Sequence, residues 1–211
     1  MFACRRIVIA SGNPGKVREI ADVLAGLGVD AVGLCDLDLD VAEPDETGET
    51  FGENARDKAR HYARATGQWC LADDSGLVVD ALDGRPGVHS ARYADERTAG
   101  EAGRDVIDAA NNAKLLDELA GVPDERRTAR FVCDLALAGD GKILLEAQGT
   151  VEGRIGHAPR GVNGFGYDPL FVLPHRGCTT AELPPEEKNA ISHRGQAVRT
   201  FAARLPRVLG G

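Results

Sequence analysis

Residues 7–28 constrain the fold most tightly. Ile7-Val8-Ile9-Ala10 is a β-branched apolar run of strand length, and Ser11-Gly12-Asn13-Pro14-Gly15 ends it with turn residues. Val17, Ile20, Ala21, Leu24 and Leu27 then recur at helical spacing, with Gly26 and Gly28 as stop signals. A buried strand that turns directly into an amphipathic helix is the opening of an α/β chain.

The alternation continues. Residues 53–66 have helical composition, and Trp69-Cys70-Leu71-Ala72 reads as a short buried strand that runs into a polar loop at Asp73-Asp74-Ser75-Gly76. An apolar run at 77–82 precedes the turn Asp83-Gly84-Arg85-Pro86-Gly87, and 104–119 returns to helical periodicity. Residues 130–138 and 142–151, joined through Gly139-Asp140-Gly141, predict a hairpin. A glycine-rich loop over 161–168 leads into a strand at 170–173. After Pro184-Pro185, a helical stripe of Ile191, Val198, Ala202 and Leu205 is interrupted near 192–195. The acidic stretch 31–52, including Asp36-Leu37-Asp38, reads as strand fragments and an exposed loop. Strands, helices and a hairpin together predict an α/β fold with a mixed, twisted central sheet flanked by helices. No repeat or linker divides the chain, so one domain over 1–211 is expected.

With 211 residues and 43% hydrophobic content, the chain can bury a full core without disulfides or a structural metal. Lys plus Arg is 25 against 33 for Asp plus Glu, and the formal charge of −8 disfavours a nucleic-acid partner. Cys4, Cys35, Cys70, Cys133 and Cys178 include no Cys-x-x-Cys pair and read as reduced thiols acting as small buried hydrophobes. The first apolar run is too short for a signal core or a membrane span, so a cytoplasmic location without a membrane partner is the default expectation.

Four groupings carry chemistry. Ser11, Gly12, Asn13, Pro14, Gly15 and Lys16 stand between a strand and a helix, where free N–H groups, the helix dipole and a lysine favour phosphate. The spacing is not that of a Walker A loop, because Val17 follows the lysine. Asp73 and Asp74 are adjacent carboxylates, and a divalent cation such as Mg²⁺ is one reason for them to tolerate each other; capping by Asp74 and Ser75 is the other. Glu43, Asp45 and Glu46 offer further oxygen ligands or form a solvated turn. In Gly164-Phe165-Gly166-Tyr167-Asp168, two glycines permit close approach and two rings can stack on a base or fill the core. Lys188-Asn189-Ala190-Ile191-Ser192-His193-Arg194 offers three donors for phosphate or a purine carbonyl, or a charged helix surface.

The order of these segments resembles the inosine triphosphate pyrophosphatase family, the non-canonical purine nucleoside triphosphate pyrophosphatases. The motifs are SGNPGK (11–16), ETGETFGENARDKA (46–59), ADDSGL (72–77), GRPGVHSARYA (84–94), GFGYDPLF (164–171) and AELPPEEKNAISHRGQA (181–197). The resemblance implies Mg²⁺-dependent hydrolysis of dITP, ITP and XTP to the monophosphate and pyrophosphate, in a cleft between two lobes, by a homodimer. By motif, residues 11–16 would hold the triphosphate with help from Lys58. Asp73 and Asp74 would sit at the metal and the attacked phosphorus, with Asp74 as the base. Glu46 matches the acidic metal-side residue, with Glu43 competing for that role. Ser75 would contact substrate, Phe165, Gly166, Tyr167 and Asp168 would hold base and sugar, and Lys188, His193 and Arg194 would complete recognition. A pyrophosphatase for modified pyrimidine or methylated nucleotides and a non-catalytic nucleotide sensor are the alternatives that the same site chemistry allows.

Overall fold

The computed structural model describes residues 6–37, 41–94 and 103–209, so Cys4 and Asp38 lie outside the described residues. Strand β1 (Ile7–Ala10) is buried at all four positions because it has a parallel neighbour on each side: β2 (Ala31–Gly33) and β3 (Trp69–Val79). Ile7 is in register with Ala31 on one side and Trp69 on the other, and Ala10 with Ala72. The sheet continues through β4 (Thr128–Gly139), β5 (Lys142–Ile155), β6 (Phe171–Leu173) and β7 (Cys178–Thr179), in the order β2-β1-β3-β4-β5-β6-β7. β6 is antiparallel to both β5 and β7, so the seven-stranded sheet is mixed. Asp140 and Gly141, both at positive φ, make the two-residue turn between β4 and β5.

The described residues form two compact units. The first takes its residues from 1–75, 133–150 and 192–211. Here the strand period of two sorts the apolar side chains onto two faces. Ile7, Ile9 and Leu71 pack with Ile20 and Leu24 of α1 (Pro14–Gly26) and with Val198 and Phe201 of α5 (His193–Arg204). Val8, Ala10, Cys70 and Ala72 pack with Ala55, Ala59 and Tyr62 of α2 (Phe51–Thr66). Each fully buried Ile or Leu contributes roughly 1.5–3 kcal/mol of transfer free energy, and the small Ala side chains on the second face let α2 lie close to the strands.

The second unit takes its residues from 76–132 and 151–191. Its core joins Leu77, Val79, Leu115, Leu119, Phe131, Ile155, Tyr167 and Phe171. Leu115 lies on α3 (Arg104–Glu118). The buried guanidinium of Arg127 donates to the carbonyls of Leu119, Ile155 and Gly156, which satisfies the C-terminal end of α3 and suits the helix dipole.

One sequence expectation changes and another is met. Residues 73–76 are not a loop: β3 runs without interruption from Trp69 to Val79, which places both aspartates inside a strand. The pattern was misleading because polar residues in a strand normally mark its end, and here they are held by partners distant in sequence. The break expected near 192–195 is present: α4 (Pro185–Ile191) stops, Ser192 takes extended backbone, and its side chain accepts from the Gly195 N–H to start α5, which α6 (Pro206–Leu209) follows. Among the described residues no helix is long and apolar enough to cross a membrane.

Candidate active site

At the turn after β1, Asn13 caps α1. Its Oδ1 accepts from the Gly15 N–H at 2.9 Å and the Lys16 N–H at 3.4 Å, its own N–H donates to Ser11 Oγ at 3.2 Å, and Pro14 supplies the pre-set φ of a first helical residue. Ser11, Gly12, Asn13, Pro14, Gly15 and Lys16 are thus gathered at one helix N-terminus, the place their spacing predicts.

From there Lys16 reaches β3. Its Nζ lies 2.5 Å from Asp73 Oδ1, which also accepts from Ser75 Oγ at 3.1 Å. Asp73 Oδ2 accepts from Arg194 Nε at 3.1 Å and from the Cys133 thiol at 3.0 Å. Arg194, at the start of α5, also donates Nη2 to Ser75 Oγ at 2.8 Å and pairs through Nη1 with Glu19 of α1. Burial opposes the charge on Asp73, but Arg194 and Lys16 outweigh it and hold the carboxyl well below the usual carboxylate range. Asp73 is therefore an ionised carboxylate with two donors on each oxygen.

Asp74 faces the other way, toward α2. Its Oδ1 accepts from Lys58 Nζ at 2.8 Å and its Oδ2 from Asn54 Nδ2 at 3.1 Å. Lys58 also donates to Glu46 Oε1 at 2.7 Å. The local sequence explains how the acidic stretch is held. Thr50 and Glu53 form a capping box at the start of α2, and the Gly48 N–H donates to Asn54 Oδ1 at 2.8 Å. A Cβ at Gly48 would lie 2.6 Å from that oxygen, so only glycine fits. Burial pushes the Asp74 carboxyl above its ordinary value, with Lys58 opposing. Lys58 is itself raised: burial favours loss of its proton, but Asp74 and Glu46 outweigh it.

Each of the adjacent aspartates thus has a neutralising charge of its own. Neighbouring strand residues point to opposite faces, and each has its own lysine. Among the described residues no three His, Cys, Asp or Glu side chains gather as a metal-binding cluster, so Asp74, Glu46 and Glu43 are not brought together as a set of three. Glu43 is exposed, with a carboxylate oxygen 3.9 Å from where a Cβ on Gly12 would stand. Asp74 and Glu46 do fit a hard divalent ion: their oxygens already converge on one positive charge, the Lys58 ammonium, and Mg²⁺ takes one or two carboxylates with waters and phosphate oxygens completing its shell.

The second unit holds another buried ion pair. Asp168 Oδ2 accepts from Lys188 Nζ at 2.6 Å and from the Phe165 N–H at 2.8 Å, and its Oδ1 accepts from Thr180 Oγ1 at 2.8 Å. Lys188 Nζ stands 4.9 Å from the centre of the Phe165 ring. Gly164, at φ 78°, leaves no room for a side chain, since a Cβ there would lie 2.1 Å from Asp168 Oδ2. The peptide of Gly166 is clamped from α3: its N–H donates to Asp108 Oδ2 at 2.7 Å and its carbonyl accepts from Asn112 Nδ2 at 2.9 Å. Tyr167 does not offer its ring for stacking. It is 5% exposed within the core, and its hydroxyl donates to the Ser90 carbonyl. Phe165, by contrast, is half-buried.

The basic segment is neither a charged helix surface nor one group. Lys188, His193 and Arg194 are all buried; Lys188 serves Asp168, whereas Arg194 serves Asp73. Sequence reasoning passed over Glu19, Asn54, Asp108, Asn112 and Cys133. A signal existed for Asn54, which stands four residues before Lys58 on one helix face, and for Asn112, four after Asp108; none existed for Cys133.

The Ham1 family model matches residues 7–204. The chain belongs to the Ham1 family. It is 53% identical over 207 residues to the dITP/XTP pyrophosphatase of Geobacillus kaustophilus, covering 98% of this chain and 97% of the relative. It is 56% identical over 201 residues to the dITP/XTP pyrophosphatase of Nitratidesulfovibrio vulgaris, covering 95% of each. The solved structure of a HAM1 protein from Coxiella burnetii aligns with a TM-score of 0.81 at 43% identity, over 96% of this chain and 99% of that one. For a Ham1 chain, the self-paired lysines and carboxylates of β3, α1 and α2 and the clamped loop 164–168 are the groups from which a function has to be built.

Proposed function

We propose that this chain hydrolyses dITP, ITP and XTP to the nucleoside monophosphate and pyrophosphate with Mg²⁺, and so removes these nucleotides from the pool that supplies DNA and RNA synthesis. The observation that carries the proposal is the arrangement of Asp73 and Asp74 on opposite faces of β3, each with its own lysine, beside the Asn13-capped N-terminus of α1. The names of relatives more than 50% identical over nearly the whole chain support the substrate class.

In this reading the first turn of α1 and Lys16 bind the triphosphate, since backbone N–H groups and an ammonium both favour phosphate oxygens. Lys58, drawn to Asp74 and Glu46 in the structure, is within one side chain of the same charges and assists. Asp74 orients and deprotonates the attacking water; burial, which raises its proton affinity, makes it a better base than a solvated aspartate. Asp74 and Glu46 would hold Mg²⁺, which supplies neutralisation of the triphosphate and of the leaving pyrophosphate when bound. Phe165 stacks on the base, and Asp168 with Lys188 presents it with a fixed charge pair. A donor from His193 or Arg194 meets the purine six-carbonyl; Arg194 also holds Asp73, Glu19 and Ser75. The homodimer implied by the resemblance belongs to the same proposal, with sedimentation as its check.

Pyrophosphate release from dITP, XTP, dGTP, dATP and a methylated pyrimidine triphosphate with Mg²⁺ tests the proposal. Turnover of dITP and XTP well above the others is expected. Preference for the pyrimidine, or tight binding of dITP with no hydrolysis, would replace the proposal with one of its two rivals.

A further inference from the structure

Cys133 lies on β4 with its side chain fully buried in the first unit, and its sulfur stands 3.0 Å from Asp73 Oδ2. An ionised carboxylate is acceptor-only, so the thiol is the donor. The other three acceptor positions of Asp73 are filled by Lys16, Ser75 and Arg194. The geometry points to Cys133 as a positioning residue for triphosphate binding: its S–H fixes the carboxylate of Asp73 in the orientation that holds the Lys16 ammonium in place.

The neighbours on β4 show that more than volume is at stake. Phe131, Leu135 and Leu137 occupy the same alternating face and are wholly apolar, whereas Cys133 alone among these four carries a polar hydrogen, and the carboxylate stands opposite it. A hydrogen bond to a buried charge is worth more than one between neutral groups, and a lost donor leaves that charge with an empty acceptor site. Asp73 would then turn toward its three remaining donors, and the contact most exposed to that turn is Lys16, which shares Oδ1 with the neighbouring Ser75 hydroxyl. Burial, together with the nearby Asp73 charge, keeps the thiol protonated and so keeps it a donor through the neutral range.

The inference rests on the assignment of Lys16 to the triphosphate, and two substitutions separate donor from volume. Cys133→Ser keeps a hydrogen to donate; Cys133→Val keeps an apolar filling without one. Binding of inorganic tripolyphosphate is measured by calorimetry, and dITP kinetics with Mg²⁺ by pyrophosphate release. The valine variant is expected to bind tripolyphosphate about tenfold more weakly and to raise KM for dITP by about the same factor, with kcat changed by less than about twofold. The serine variant should return both to within about twofold of wild type. Thermal melting separates packing from positioning: a merely structural role would make the loss of affinity follow melting temperature and not the presence of a donor. If the valine variant does not fold, Cys133→Ala, also without a donor, takes its place and is expected to show the same weakened binding and raised KM. Wild-type affinity in the valine variant, or equal impairment in the serine one, overturns the inference. If wild type binds tripolyphosphate with the expected pattern but leaves dITP intact, the hydrolytic reading fails and the positioning role stands; no binding by wild type overturns both.

Discussion

Asp73 and Asp74, consecutive in β3, ion-pair with different lysines on opposite faces of the strand: Lys16 of α1 at 2.5 Å and Lys58 of α2 at 2.8 Å. Asp73 has both oxygens filled by donors and is held ionised, whereas Asp74 is pushed by burial toward the protonated form. The two neighbours are therefore suited to different tasks, one to organise charge and the other to accept a proton.

Their amide variants should differ in kind. Asp74→Asn is expected to lower kcat for dITP by about 10²–10⁴-fold, the usual contribution of a general base, with the fold intact. Asp73→Asn leaves the buried Arg194 without its main counter-ion and should destabilise the protein by about 3–5 kcal/mol. Urea denaturation beside single-turnover kinetics distinguishes them; near-normal turnover by Asp74→Asn would remove it as the base.

The proton affinity of Asp74 is set by burial, which raises it, Lys58, which lowers it, and Glu46, which raises it. In metal-free protein, Lys58→Gln should move the Asp74 titration to higher pH and Glu46→Gln to lower pH. Carboxyl-carbon NMR reads both shifts, and displacement of both in the same direction would contradict this electrostatic picture.

Acid stability should depend on Asp73 with the opposite sign. Its folded pKa lies below the unfolded value of about 3.9, so the stability it contributes is complete above that value and is lost as pH falls toward the folded one. Stability curves of wild type and Asp73→Asn should run parallel above about pH 5 and converge below about pH 4.

Gly149 of β5 lets α5 approach the sheet. A Cβ there would lie 2.1 Å from the His193 carbonyl oxygen and 2.6 Å from the Ala197 nitrogen. Gly149→Ala should cost about 1–3 kcal/mol, typical of overpacking, and lower kcat/KM by moving the start of α5 with Arg194. Thermal melting and dITP kinetics together check it.

Asn112 and Asp108 clamp the Gly166 peptide between Phe165 and Tyr167. Asn112→Ala should raise KM for dITP several-fold, by roughly the worth of one neutral hydrogen bond, and leave kcat nearly unchanged. A fall in kcat with constant KM would place the clamp in the chemical step.

Much of this organisation was legible in the chain. Ile7-Val8-Ile9-Ala10 and the glycine-bearing turn at 11–16 revealed a buried strand that leads into the capped start of a helix, because period and turn chemistry are local properties. The restart of the C-terminal helix at Ser192 was readable for the same reason. The pairing of charges was not. Asp73-Asp74 read as a loop because nothing nearby in sequence neutralises it, and Lys188-His193-Arg194 read as one basic cluster although Lys188 serves Asp168 and Arg194 serves Asp73.

The sequence by itself determined most of the element types, the mixed sheet and the residue types of the proposed nucleotide site, since these follow from short-range periodicity and local conformational preference. Only the tertiary structure decided that adjacent aspartates face opposite sides with separate lysines, that Tyr167 is core while Phe165 is half-buried, and that a cysteine 60 residues away completes the Asp73 carboxylate. Such pairings depend on which strand neighbours which and on which face a side chain lies, and register across a sheet joins residues whose separation along the chain carries no local signal.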